Sequence, residues 1–298
     1  MAQLIHYTTC PVCDSTHFQQ VLSVKDFTVS EEIFSIMECA TCSLRFTQDV
    51  PAKNSMSAYY ASEDYISHTD TSKGLINKMY KNVRQITLKQ KASWVQTYSN
   101  KKQGKLLEIG SGTGAFASEM KNRGWEVIGL EPDVKARQNA MDFYQLSLHP
   151  VEDLYTLIPG SFDAIVLWHV LEHVHDLHDY IKRFRELLKP DGVLIIAVPN
   201  YTSKDAKIYG EYWAAYDVPR HLYHFSPDAM KKLVEKHGMI IQNYKPMWYD
   251  SFYISLLSSK YKHGKTNWAS AIINGLRSNA DALTESRNCS SVTYIIHK

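Results

Sequence analysis

The chain has 298 residues, 44% of them apolar, and a formal net charge of +2. That length carries one large domain, or a domain with a small module, and near-neutrality excludes a global electrostatic pull toward nucleic acid or a membrane surface. It contains no long apolar run for a spanning helix and no basic head with an apolar core for a signal peptide, so a soluble, cytoplasmic protein is expected.

Residues 1–50 read as a small zinc-binding module. Four of the five cysteines stand there, as Cys10-Pro-Val-Cys13 and Cys39-Ala-Thr-Cys42, with 25 residues between the pairs. Two such knuckles can wrap one tetrahedral zinc with four thiolates. The gap is longer than in a standard ribbon, and disulfides or four unrelated buried thiols are the alternatives. A chain without an export signal favours metal over disulfides. Cys289 has no partner in the pattern and is expected to pack. The module holds two basic residues (Lys25, Arg45) and six acidic ones (Asp14, Asp26, Glu31, Glu32, Glu38, Asp49). A DNA-binding zinc module is normally basic, so this one reads as structural or protein-contacting.

Residues 51–104 form a connector and a helix. The stretch 51–74 is polar and rich in tyrosine, and Tyr59, Tyr60, Tyr65 and His68 are lid candidates. A surface connector with wet hydroxyls is the equal alternative. Residues 75–99 read as an amphipathic helix, with Ile76, Met79, Tyr80, Val83, Ile86 and Trp94 near helical spacing. The segment 71–105 holds nine basic residues and no acid. Such a run is commonly a solvated helix face. Lys78 and Lys81 could instead attract an anionic substrate.

From residue 105 to 200 strands and helices alternate, the signature of a parallel sheet covered on both faces. Residues 106–114 read Leu-Leu-Glu-Ile-Gly-Ser-Gly-Thr-Gly. A short apolar strand ends in Glu108, and a turn with Gly110, Gly112 and Gly114 lets the backbone lie against a ligand. A helix from Ala115 to Arg123 follows. The strand Glu126 to Leu130 then delivers Glu131, about twenty residues on, where a carboxylate can accept both hydroxyls of a ribose. An adenosine-containing cofactor is expected. The turn alone does not choose it, because Gly110-x-Gly112-x-x-Ala115 also fits the dinucleotide fingerprint.

Two later segments complete the pattern: Gly-Ser-Phe-Asp-Ala-Ile-Val-Leu-Trp-His-Val-Leu-Glu-His at 160–173, and Leu-Leu-Lys-Pro-Asp-Gly-Val-Leu-Ile-Ile-Ala-Val-Pro-Asn at 187–200. His169 and His173 are four apart and share a helical face. That suits packing, or a metal site completed by His175, although the pattern is not His-Glu-x-x-His and places no acid for water activation. Asp163 is read as orienting the loop before its strand. Residues 201–226 form a long aromatic loop, a candidate substrate wall. Ser226-Pro227 starts a helix to about His237, ended by Gly238. A strand over 239–245, helices over 250–262 and 267–277, and a final strand from Ser291 follow. Residues 246–290 are thus an insertion before the last strand.

The glycine turn and these two segments together resemble the class I S-adenosylmethionine-dependent methyltransferases, over roughly residues 75–298. The resemblance implies an α/β, Rossmann-like, doubly wound and mostly parallel seven-stranded sheet with its last strand antiparallel, here preceded by a zinc-ribbon-like module. The methyltransferase domain would run over 105–298. Glu108, Gly110, Gly112 and Gly114 would face the methionine end of S-adenosylmethionine. Glu131 would take the ribose, Glu152 and Asp153 would flank the adenine, and Trp168 and His169 would line the floor near the sulfonium. A zinc module before such a domain also resembles the sugar C-methyltransferase group. There His221, in His221-Leu-Tyr-His-Phe225-Ser226, would be the catalytic base; ordering of the loop is its other role. Arg220 departs from that group's pattern, which has a glutamate there. The implied acceptor is a small molecule, such as a sugar nucleotide or another anionic metabolite, and neither nucleic acid nor membrane is an expected partner. Two rivals remain: a nicotinamide-dependent oxidoreductase, and a non-catalytic protein that binds partners through its zinc module.

Overall fold

The computed structural model describes residues 3–60 and 75–298, with side chains from residue 83 in the second span. Tyr65, His68, Lys73 and the side chains of Lys78 and Lys81 lie outside the described residues.

The N-terminal segment is β-rich. β1 (Leu4–Ile5) pairs antiparallel with β5 (Val50–Pro51). β2 (Phe18–Lys25), β3 (Ile33–Cys39) and β4 (Arg45–Thr47) form an antiparallel meander. Alternation along β3 buries Phe34 and Ile36, so that face turns to a core, and Cys39 at the strand's end is buried on the opposite face. The sheet gains its fourth strand from far away, since β10 (Tyr223–His224) pairs with β4 through Tyr223–Phe46 and His224–Arg45.

The central sheet has the order β11-β12-β9-β8-β6-β7. β6 (Lys105–Ile109), β7 (Glu126–Leu130), β8 (Phe162–Trp168) and β9 (Leu188–Pro199) are mutually parallel. Their continuous apolar runs follow from burial on both faces. One face packs on α1 (Leu75–Tyr98) and α2 (Ala115–Asn122), through Ala92, Val95, Phe116 and Met120. The other buries Leu107, Ile165, Leu167 and Ile196 against α4 (Leu177–Leu187), whose Ile181 and Phe184 are inaccessible. α3 (Val134–Tyr144) lies between these helices in sequence and is capped by Asp133, which accepts from Ala136 N at 2.6 Å. β12 (Ser291–His297) is antiparallel to both β9 and β11 (Ile240–Pro246).

Three sequence expectations change in detail. The resemblance implies seven strands, but the sheet has six among the described residues, and the one implied between β7 and β8 is a single parallel bridge, Leu130 to His149. Pro150 follows at once and has no N–H to extend the ladder. Residues 201–226 are not an open loop. They contain α5 (Lys204–Tyr209), capped by Ser203, and two short 3-10 turns. The Ser226 cap and Pro227 start α6 (Pro227–Lys236) as read from sequence. The insertion is a helical pair, α7 (Asp250–His263) and α8 (Trp268–Thr284). The second runs seven residues past the expected end at 277, because its buried stripe of Ala271, Asn274, Gly275, Ser278 and Ala282 continues. The two helices approach closely at Gly275, where a Cβ would lie 2.7 Å from the Phe252 ring. No helix among the described residues is long and apolar enough to cross a membrane.

Candidate functional site

The carboxyl ends of the parallel strands gather on one edge, where ligands bind in such sheets. The turn after β6 has positive φ at Gly110 (68°), Gly112 (53°) and Gly114 (81°). A Cβ at Gly110 would lie 2.4 Å from Val170 Cγ2, whereas one at Gly112 would meet nothing within 4 Å. Gly110 is therefore required by packing, and the backbone at Gly112 presents an open face. Glu131, buried at the end of β7, accepts from Gly112 N at 2.7 Å and from Asp133 N at 3.0 Å. Each carboxylate oxygen keeps a further lone pair for a hydroxyl donor.

Glu108 is 2% exposed, and among the described residues its Oε2 has no hydrogen-bond partner. Burial pushes its carboxyl up to about 8, and the Lys91 ammonium only partly opposes this. The Trp168 indole N–H is likewise buried without an acceptor. The Trp168 ring packs edge-on to Phe116 and carries Lys91 Nζ 4.5 Å above it. Glu108 and Trp168 project from one face of the sheet, through alternate positions on adjacent strands. Two unpaired polar atoms of opposite sense therefore lie beside the glycine turn. Glu152 and Asp153 sit on a 3-10 turn beyond the Leu130–His149 bridge. Glu152 is exposed, and Asp153 lies 3.4 Å from His149 Nδ1.

A histidine cluster follows β8. His169 has φ 58°, a strained conformation for a ring-bearing residue. Its Nε2 lies 2.9 Å from Asp250 Oδ2 at the start of α7. Burial would lower its pKa, but the Asp250 carboxylate outweighs that and raises it to about 9. Its Nδ1 is 3.6 Å from Glu172 Oε1, an electrostatic contact beyond hydrogen-bond length. Glu172 is fully buried, and neither of its oxygens has a donor.

Glu172, His173 and His221 bring their side-chain donor atoms within 4.8 Å of one another. His221 Nδ1 lies 2.8 Å from Ala215 O, and His173 Nδ1 lies 3.0 Å from Arg220 O and 3.1 Å from Tyr60 Oη. A backbone carbonyl can only accept, so each Nδ1 carries the proton of the neutral ring and each Nε2 keeps its lone pair. Burial and the neighbouring His221 lower the His173 pKa to about 4. Two lone pairs and a carboxylate thus converge, and among the described residues no donor stands within hydrogen-bond distance of that carboxylate. The expected trio of His169, His173 and His175 does not converge, because His175 Nε2 turns to Pro51 O at 3.0 Å.

Among the lid candidates, Tyr59 Oη donates to Glu32 at 2.6 Å and Tyr60 Oη meets His173. Asp163 sits at the opposite end of β8, held by Lys101 (2.5 Å), Lys189 (2.8 Å) and the Lys105 N–H (2.7 Å). It orients the sheet far from the site. Sequence reasoning missed Glu172 and Asp250. For Glu172 the spacing signal existed, three residues after His169 and one before His173. Asp250 had none, because only folding carries the insertion back to β8.

Cys10, Cys13, Cys39 and Cys42 form the second cluster, with all four sulfurs within 4.8 Å of one another. Cys10–Cys42 and Cys13–Cys39 are 3.5 and 3.6 Å apart. Four thiolates about 2.3 Å from one tetrahedral zinc stand about 3.8 Å apart, so the spacing fits that ion. No S–S bond links them.

Comparison with known proteins agrees with this architecture. A family model described as a methyltransferase domain matches residues 82–242, more than half of the chain. The chain belongs to the class I S-adenosylmethionine-dependent methyltransferases. The mitochondrial ubiquinone biosynthesis O-methyltransferase of Bos taurus is 28% identical over 165 residues, 50% of this chain and 44% of that protein. The ubiquinone biosynthesis O-methyltransferase of Chromobacterium violaceum is 27% identical over 159 residues, 49% of this chain and 68% of that protein. The chain thus spans about half to two thirds of the length of these relatives. A SAM-dependent methyltransferase from Archaeoglobus fulgidus aligns with a TM-score of 0.48 and 17% identity, over 76% of this chain and 100% of that one.

Proposed function

We propose that this chain transfers the methyl group of S-adenosylmethionine to a hydroxyl of a small, anionic acceptor. The observation that carries the reading is Glu108, a buried carboxylate oxygen without a donor beside an open glycine turn. An orphaned acceptor of this kind costs free energy until a cationic donor meets it, and the ammonium of the cofactor's methionine end is such a donor. Bound there, the cofactor supplies a methyl group on a positively charged sulfur, so the protein's tasks are alignment and exclusion of water. Glu131 takes the ribose hydroxyls with its remaining lone pairs. Gly110, Gly112 and Gly114 give the backbone its approach, Glu152 and Asp153 flank the adenine, and Trp168 and His169 line the floor under the methyl.

A hydroxyl acceptor must lose its proton as it is methylated. His221 takes that proton on Nε2, and the buried Glu172 carboxylate stabilises the imidazolium that results. The names of the curated relatives, ubiquinone biosynthesis O-methyltransferases, favour oxygen as the acceptor atom. Lys91, with Nζ 4.5 Å above the Trp168 ring, favours an anionic acceptor, such as a sugar nucleotide. The four cysteines hold zinc, and the module serves the fold rather than nucleic acid.

Calorimetric titration with S-adenosylhomocysteine, run beside NAD, tests the cofactor. Binding of the first alone, lost in Glu131→Ala, is expected; binding of NAD alone overturns the reading. A panel of hydroxylated acceptors with radiolabelled S-adenosylmethionine then tests the acceptor class.

A further inference from the structure

Asp26 and Arg220, 0% and 1% exposed, form a buried ion pair across 194 residues of sequence. Asp26 stands in the turn between β2 and β3. That turn orients the carboxylate first, through donors from Thr28 N (3.0 Å), Val29 N (3.2 Å), Ser30 N (2.9 Å) and the hydroxyls of Thr28 and Ser30. Arg220 reads it with Nη2, 2.9 Å from Oδ1. The guanidinium also reaches Asp217 (Nε at 3.1 Å, Nη2 at 2.7 Å), the Tyr59 carbonyl (Nη1 at 2.8 Å) and, again through Nη2, Thr28 Oγ1. One planar fork therefore joins the N-terminal module, the start of the connector and the segment 217–221.

The joined segment carries His221, whose Nδ1 meets the Ala215 carbonyl just before it, and it supplies the carbonyl that meets His173. The Arg220 carbonyl accepts from His173 Nδ1, and His221 N donates to Asp217 O at 3.0 Å. Two further ties come from the module: Thr47 Oγ1 donates to His221 O at 2.8 Å, and Thr47 N donates to Leu222 O at 2.9 Å. β10 then adds its two residues to the module's sheet. These contacts fix residues 217–224 through their backbone and through the Arg220 side chain, whose guanidinium is 1% exposed.

We infer that Asp26 and Arg220 are positioning residues, through which the N-terminal module holds His173 and His221 in the tautomer and orientation that present both Nε2 lone pairs. This rests on the reading of His221 as the base. It also explains why arginine stands before His221: the side chain faces inward as a strut rather than outward to substrate.

The test uses the full chain labelled with ¹⁵N-histidine. Ring-nitrogen NMR resonances are assigned with His173→Gln and His221→Asn, and tautomers are compared in wild type, Asp26→Asn and Arg220→Lys. In wild type both rings are expected as the single Nδ1–H tautomer. In Asp26→Asn the Nε2 resonances should move toward the protonated position as the tautomers mix, with S-adenosylhomocysteine affinity unchanged. Arg220→Lys, which keeps charge but loses the fork, should show a smaller shift of the same sign. Should Asp26→Asn not fold, Thr28→Val removes one acceptor of the fork without a charge and is read the same way. Folded variants with both rings in the wild-type tautomer overturn the inference. A His221→Asn enzyme with full methyl transfer would instead end the base reading while leaving the tautomer result intact, so the two failures are distinguishable.

Discussion

Glu131 accepts the backbone N–H of Gly112 at 2.7 Å, so the carboxylate read as a ribose ligand also closes the glycine turn beside it. In the proposed function, ligand and turn would be coupled through this one side chain. Glu131→Ala should therefore weaken S-adenosylhomocysteine by about 10–100-fold, the loss of one or two hydrogen bonds to a charged group. Glu131→Gln, with one acceptor oxygen left, should fall between. Calorimetry on the three proteins checks the order.

Removing the base is expected to separate chemistry from binding. His221→Ala should lower kcat by about 10²–10⁴-fold and leave S-adenosylhomocysteine affinity unchanged. Steady-state kinetics on an acceptor from the panel, beside calorimetry, makes the comparison. Full kcat in the variant would assign His221 to loop order alone.

Glu108 makes stability depend on pH. Its folded pKa of about 8 lies above the ordinary glutamate value because burial disfavours the charged form. The unfolded chain therefore releases that proton more readily. Cofactor-free protein should lose stability as pH rises from the ordinary glutamate range through about 8, where the loss is complete. Glu108→Gln should flatten this part of a melting curve series taken from pH 4 to 9. A saturating cationic ligand should also flatten it, by holding the carboxylate ionised.

The pair of His169 and Asp250 acts over a different interval. The Asp250 carboxylate overcomes burial and holds the folded pKa of His169 near 9, above its unfolded value. Its contribution is fully present below the unfolded histidine pKa, about 6.5, and is lost as pH rises through about 9. Asp250→Asn should abolish that second fall and loosen the start of α7 against β8. Chemical denaturation at a series of pH values reads the first effect, and hydrogen exchange of α7 reads the second.

Metal analysis of the purified chain should return one zinc, held by four thiolates. Cys10→Ser with Cys13→Ser should lose it and lower Tm. Because β10 completes the module's sheet, protease sites should open in residues 215–225 as well as in 1–50. Cleavage confined to the first fifty residues would mean that the sheet does not transmit the loss.

Much of the site was legible because its signals are local. Positive φ at Gly110, Gly112 and Gly114 needs glycine, and a strand ending in an acid needs only its own neighbours. The Ser226 cap and the Cys-x-x-Cys knuckles are likewise contained in a few residues. α8 continues past 277 because Ser278 and Ala282 prolong a buried stripe of small residues, which carries little hydrophobic signal. The strand implied between β7 and β8 is reduced to a bridge where Pro150, with no N–H to give, follows His149 at once.

By itself, then, the sequence determined the cofactor edge of a parallel sheet and a four-cysteine cluster, since period, turn chemistry and ligand spacing are properties of short segments. Only the tertiary structure decided which distant groups meet: Asp26 with Arg220, Asp250 with His169, β10 with β4, and Glu172 with His173 and His221. Those pairings come from burial and chain closure over tens to hundreds of residues, and no local pattern encodes the partner of a charge that must be neutralised once it leaves water.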